Sequence, residues 1–117
     1  MSSPEPAAAQ VLAAQTLAAH TFAALGDPTR LALLSRLSDG ESRSIAALSE
    51  GQSLTRQAVT KHLNVLESAG LVSRLRAGRE SRYAYQPGPV ADAKAYLDTV
   101  SGQWEAALGR LRAFVED

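Results

Sequence analysis

The chain has 117 residues, 45% of them hydrophobic, which suits one compact domain built on a single core. It has no cysteine, which excludes disulfides, thiolate metal sites and cysteine nucleophiles together and fits a cytoplasmic protein. Twelve basic and twelve acidic residues cancel, so a polycationic scaffold is excluded and any attraction for nucleic acid must come from how the charge is distributed.

Residues 1–6, rich in Ser and Pro, read as a disordered lead-in, and 7–117 as one folded unit. The N-terminus lacks a basic region and no apolar run is long enough to span a bilayer, so neither secretion nor a membrane is expected. Ala7 to Leu25 has helical propensity, with Val11, Ala14, Ala18, Phe22 and Leu25 spaced for one face. Gly26 ends that helix. Asp27 then supplies a cap and Pro28 a preset first turn for a second helix to about Leu37. Leu31, Leu34 and Leu37, with Leu33 beside them, are its expected core residues, and Asp39-Gly40 stops it.

A short helix over Ser44 to Glu50 follows, with Ile45 and Leu48 facing in. Gly51 opens a short turn, and Thr55 caps a longer helix that runs to about Ala69. Two helices joined this way, over about 44–69, form a helix-turn-helix arrangement. At 100° per residue, Arg56, Gln57, Thr60, Lys61, Asn64, Glu67 and Ser68 fall on one half of the longer helix. Ala58, Val59, His62, Leu63, Val65, Leu66 and Ala69 fall on the other. The apolar half can dock on a core while the polar half stays free. Arg, Gln, Thr, Lys and Asn side chains there can hydrogen-bond base edges and phosphates. His62 lies on the apolar half, where a packed histidine with one satisfied ring nitrogen is expected.

Val72 to Arg76 and Arg82 to Tyr85 read as strands around Ala77-Gly78-Arg79-Glu80, a hairpin over about 72–85. Tyr83 and Tyr85 share one strand face and are expected to pack inward, with Leu75 opposite. Arg79 sits at the tip, flanked by Arg76 and Arg82, so the hairpin reads as a wing laid along DNA. From Leu54 to Arg82 the segment carries six basic residues against two acids, an excess of four. The compensating acids, including Asp92, Asp98 and Glu105, lie outside it. A local basic patch on a neutral protein is what a compact DNA reader requires.

A last helix is expected over about 89–115. Val90, Ala93, Leu97, Val100, Trp104, Ala107, Leu111 and Phe114 repeat at alternating steps of three and four, a heptad seam. Such a helix is roughly 40 Å long, more than a domain of this size needs for its own core. The seam therefore points to a partner. Gly102 and Gly109, one heptad apart, allow either close helix approach or a local bend.

Three segments in order, Phe22 to Leu34, Gln57 to Val72 and the hairpin from Arg76 to Tyr83, resemble the ArsR/SmtB family of winged-helix repressors. The match covers about Phe22 to Gln86 and, more loosely, the terminal helices. The resemblance implies a homodimer formed through the first and last helices, with the helix after the turn in the major groove of double-stranded DNA. One departure matters. Metal sensors of this family carry Cys in the short helix or His in the last one, and this chain has neither there. Without thiolate or imidazole ligands in those places, no metal and no cofactor is expected.

The fold class expected is mainly α with a small β-hairpin: a winged helix-turn-helix whose N- and C-terminal helices form a dimer interface. Thr55, Arg56, Gln57, Thr60, Lys61 and Asn64 are the expected DNA contacts on the helix, and Arg76, Arg79 and Arg82 those on the wing. Val11, Ala18, Leu97, Val100, Trp104, Ala107 and Leu111 are the expected dimer contacts. No Ser-His-acid set and no phosphate-binding glycine loop appears, so an enzyme is not expected. The alternative is a protein-interaction module of the same fold that dimerises with another protein and does not bind DNA specifically.

Overall fold

In the computed structural model, which describes residues 6–116, eight elements follow one another. They are α1 (Pro6–Leu25), α2 (Pro28–Leu37), β1 (Arg43–Ser44), α3 (Ile45–Ser49), α4 (Arg56–Ser68), β2 (Val72–Ala77), β3 (Glu80–Tyr85) and α5 (Gly88–Glu116). The lead-in expected over 1–6 lies outside the described residues, except that Pro6 opens α1.

Side-chain caps set the helix starts. Asp27 Oδ2 accepts from the Arg30 N–H at 3.0 Å, Ser44 Oγ from Ala47 at 3.1 Å and Thr55 Oγ1 from Ala58 at 3.1 Å. Each such cap is worth about 1 kcal/mol. Gly70, with φ +73, ends α4: its N–H reaches the Glu67 carbonyl at 2.9 Å and the Leu71 N–H reaches Leu66 at 3.0 Å. This Schellman closure turns the chain sharply and drops Leu71, fully buried, into the core before β2 begins.

That core is one cluster: Ala24, Leu33, Leu34, Leu37, Leu48, Val59, Leu63, Leu66, Leu71, Val72 and Tyr83. The expected Leu31 is not in it and is half exposed. Leu33, Leu34 and Leu37 define the inner face of α2, and Leu31 lies about 110° round the helix from their centre. Val65, expected on the apolar half of α4, is also exposed, because three residues, Val59, Leu63 and Leu66, suffice to fill the interface. On α1, Ala18, Thr21 and Ala24 are buried while Val11, Ala14 and Phe22 are exposed. The first half of α1 has α5 beside it and, among the described residues, its remaining face is exposed.

The sheet has three antiparallel strands in the order β1-β3-β2, one more than the sequence suggests. β1 is two residues long, too short to show any alternation, and pairs Arg43 with Tyr83 and Ser44 with Arg82. In the hairpin, Val72 faces Tyr85 and Arg74 faces Tyr83, which puts both tyrosines on the core side. Leu75 faces Arg82 on the outer side, so it is exposed rather than packed against the tyrosines.

α5 reaches the interior only through its first turns, with Ala93 buried and Val90 packed on the core. It runs alongside α1 and then beyond the body. The radius of gyration is 19.3 Å, with extents of 66 × 41 × 22 Å. A compact chain of this length would have about 13 Å. The excess is the projecting helix.

Candidate nucleic-acid interface

α4 is held from one side only. Val59, Leu63 and Leu66 are fully buried, and the turn before the helix is fixed by the Thr55 cap. Arg56, Gln57, Lys61 and Asn64 are left exposed on the other side, with Thr60 half-buried between them. Arg56, Gln57, Thr60 and Lys61 line an open groove with Ile45 and Ala46 of α3. Two of the expected contact residues already have local tasks. The Thr55 hydroxyl is the cap, and Thr60 Oγ1 donates back to the Arg56 carbonyl at 2.7 Å.

The wing turns through Gly78-Arg79. Gly78 sits at φ +62, a conformation that glycine adopts without strain at the first central position of a two-residue hairpin turn. Arg74, Arg76 and Arg79 are exposed along it. Arg82 is placed differently. Its Nε donates to Ser42 Oγ at 2.9 Å, one Nη to the Ser42 carbonyl at 2.7 Å and the other to Glu80 Oε2 at 3.3 Å. It braces the wing against the loop before β1. That loop is in turn fastened by Arg43, whose guanidinium meets both Asp39 oxygens at 2.9 and 2.6 Å. The Arg43 hydrogen bond, then that from the Glu41 N–H, hold the Asp39 carboxyl well below the usual carboxylate range.

Two further arginines escape sequence reasoning, because their partners are distant or are backbone. Arg36 donates to the Leu48 and Ala47 carbonyls at 2.8 and 3.0 Å, closing the C-terminal end of α3. Arg30 donates to the Ala24 and Ala23 carbonyls at 2.6 and 3.3 Å, closing the C-terminal end of α1. No local pattern marks either one. Beside Arg30 lies His62, half-buried, with Nδ1 3.5 Å from Arg30 Nη1 and 3.7 Å from Asp27 Oδ2.

The electrostatics follow from this placement. Of the acids within the basic segment, Glu80 is engaged by Arg82 and Glu67 sits near the far end of α4. The N-terminal half of α4 and the wing therefore present Arg56, Lys61, Arg74, Arg76 and Arg79, none of which forms an ion pair among the described residues. This geometry can bind a polyanion with a groove, placing a helix face inside the groove and a hairpin against the backbone.

The residues expected at a dimer interface divide. Val11, Leu97, Trp104 and Leu111 are exposed on α1 and α5, with Trp104 66% exposed. Val100 and Ala107 are half-buried, and Ala18 is buried within the protomer. A Cβ at Gly102 or Gly109 would meet nothing within 4 Å, so neither glycine serves a close approach inside this chain.

A family model described as a helix-turn-helix domain matches residues 25–74, from the end of α1 into β2. The chain is 44% identical over 62 residues to the HTH-type transcriptional regulator YuzN of Bacillus subtilis (strain 168), covering 48% of this chain and 67% of that one. It is 41% identical over 69 residues to a probable mercury resistance operon repressor of Streptomyces lividans, covering 59% of this chain and 54% of the relative. Among solved structures, an ArsR-like transcriptional regulator from Rhodococcus sp. RHA1 superposes with a TM-score of 0.76 at 32% identity, over 86% of this chain and 93% of that one.

Proposed function

Because the chain belongs to the ArsR/SmtB family of winged-helix transcriptional regulators, we propose that it is a homodimeric repressor that binds a pseudo-palindromic operator. One observation carries the reading: α4 is locked into the core by its apolar side while its polar side stands free beside a basic wing. Arg56, Gln57, Lys61 and Asn64 enter the major groove, with Thr55 and Thr60 shaping the first turn. Arg76 and Arg79 meet phosphate, and Arg82 holds the wing at the angle that lets them do so. The second protomer covers the seam from Leu97 to Leu111 together with Val11. Ala18 acts from inside, letting α1 and α5 close. A dimer bound over promoter DNA represses by excluding polymerase.

Soft-metal sensing does not belong to this reading. The Streptomyces relative is described as a mercury resistance operon repressor, but a mercury site needs thiolates and this chain has no cysteine. Among the described residues no three of His, Asp and Glu come together. Zinc, cadmium or arsenite at micromolar concentration should leave operator affinity unchanged, and release of DNA at stoichiometric metal would refute this.

The test of the reading is competition. A duplex carrying the regulated promoter is bound in fluorescence anisotropy, and sheared genomic DNA is added. The repressor should hold the specific duplex against a large excess of competitor. A protein-interaction module of the same fold would retain neither.

A further inference from the structure

We propose that the groove between α3 and α4 selects a thymine through its 5-methyl group, with Ile45, Ala46 and the Thr60 methyl as an apolar floor. The proposal rests on the DNA-binding reading above and names the base that one part of that surface recognises. Ile45 and Ala46 line the groove together with Arg56, Gln57, Thr60 and Lys61. Arg56, Gln57 and Lys61 bring charge or an amide. The other three bring carbon. Thr60 belongs with them because its one donor is committed to the Arg56 carbonyl at 2.7 Å, so its methyl is what it adds to the lining.

The floor is fixed at both ends of α3. Ser44 Oγ accepts from the Ala47 N–H at 3.1 Å at its start, and Arg36 holds the Ala47 and Leu48 carbonyls at 3.0 and 2.8 Å near its end. Leu48 is fully buried and Ile45 packs on the core, which leaves Ala46, about 100° round the helix from Ile45, at the groove. In the major groove of DNA, thymine alone among the four bases carries a methyl group. A preformed carbon surface gains from covering that methyl without first having to be ordered. Arg56 and Lys61, both exposed, supply the positive charge that draws the duplex to this floor. Gln57 shares the same lining, so the methyl falls within one base step of the adenine that Gln57 pairs with.

The probe is the promoter duplex with its thymines replaced one at a time by deoxyuridine, which removes the methyl and keeps the base pairing. In fluorescence anisotropy one thymine in each half-site should prove sensitive, deoxyuridine there lowering affinity roughly fourfold, the equivalent of one buried methyl group. Thr60→Ser deletes the facing methyl and keeps the hydroxyl that bonds Arg56. Serine's helix propensity is about that of threonine, so the variant should fold. Ala46→Ser sets a hydroxyl in the floor. In each variant the penalty for deoxyuridine should shrink to less than about twofold. Arg79→Ala, on the wing, should weaken both duplexes and leave the fourfold ratio intact. The position whose base preference Gln57→Ala relaxes should coincide with the sensitive thymine or adjoin it. Deoxyuridine tolerated at every position, by a protein that still prefers the promoter duplex to sheared genomic DNA, would overturn the proposal. An unchanged penalty in either floor variant would do the same. If the promoter duplex is not preferred at all, the repressor reading fails and this proposal falls with it.

Discussion

Gln57 and Arg79 are both exposed and polar, yet the proposed reading gives them different tasks on DNA. Gln57 projects from a helix whose far side is buried, so its side chain leaves the helix in a set direction and its amide can pair with an adenine edge through two hydrogen bonds. Arg79 stands at a hairpin tip, where a charge can meet phosphate without reading sequence. Gln57→Ala should cost about 1–3 kcal/mol on the best operator and much less on random duplex. Arg79→Ala should weaken both alike and make the slope of log affinity against log salt shallower by about one. A salt series in fluorescence anisotropy on both duplexes separates the two. Arg82 gives a third signature. Bound to Ser42 and Glu80, it is a brace, so Arg82→Ala should lower affinity for both duplexes while leaving the salt slope within error of wild type. A slope reduced by one would make it a phosphate contact after all. Sequence reasoning grouped Arg82 with Arg76 and Arg79 because all three flank one turn. What distinguishes it is Ser42, 40 residues away in sequence, and no local pattern encodes that pairing.

At the scale of the element, most boundaries were legible because each is set by a residue with a local physical reason. Asp27, Ser44 and Thr55 are caps, and Gly70 and Gly78 supply turns at positive φ. The amphipathic division of α4 was legible for the same reason: a period of 3.6 is written in the chain itself. β1 was not, since two residues carry no period. Nor was the inner face of α1, where alanines and a threonine, not the larger Val11 and Phe22, are buried. Small residues let α5 approach closely and leave the bulky ones outside. The seam on α5 extends well beyond the two positions that reach the interior, and Phe114 near its end is 81% exposed. If that surface belongs to a second copy, Trp104→Glu places a charge in an apolar interface without disturbing the protomer, since Trp104 touches little of it. A buried aromatic anchor of this kind is worth 2 kcal/mol or more, about a thirtyfold loss in dimer affinity. Sedimentation velocity at tens of micromolar should show a folded monomer for the variant and a dimer for the wild type. Equal masses would leave the seam without the partner assigned to it.

For the whole molecule, two global properties acquire meaning only once the fold is known. The formal charge of zero conceals a division: the α4 and wing segment carries the basic excess, and acids such as Asp92, Asp98 and Glu105 lie on α5. A radius of gyration of 19.3 Å describes a protomer whose longest helix is only partly used by its own core. Both fit the assembly proposed above, in which α5 joins two protomers and the two α4 helices face the same side of a duplex. The most direct test of that claim is selection of bound duplexes from a random library, followed by sedimentation equilibrium of the enriched duplex with the protein. The account predicts an inverted repeat with half-site centres about one helical turn, roughly 10 base pairs, apart, or a multiple of it, and two chains on each duplex. A library that never enriches, or a single unpaired half-site bound by one chain, would contradict it.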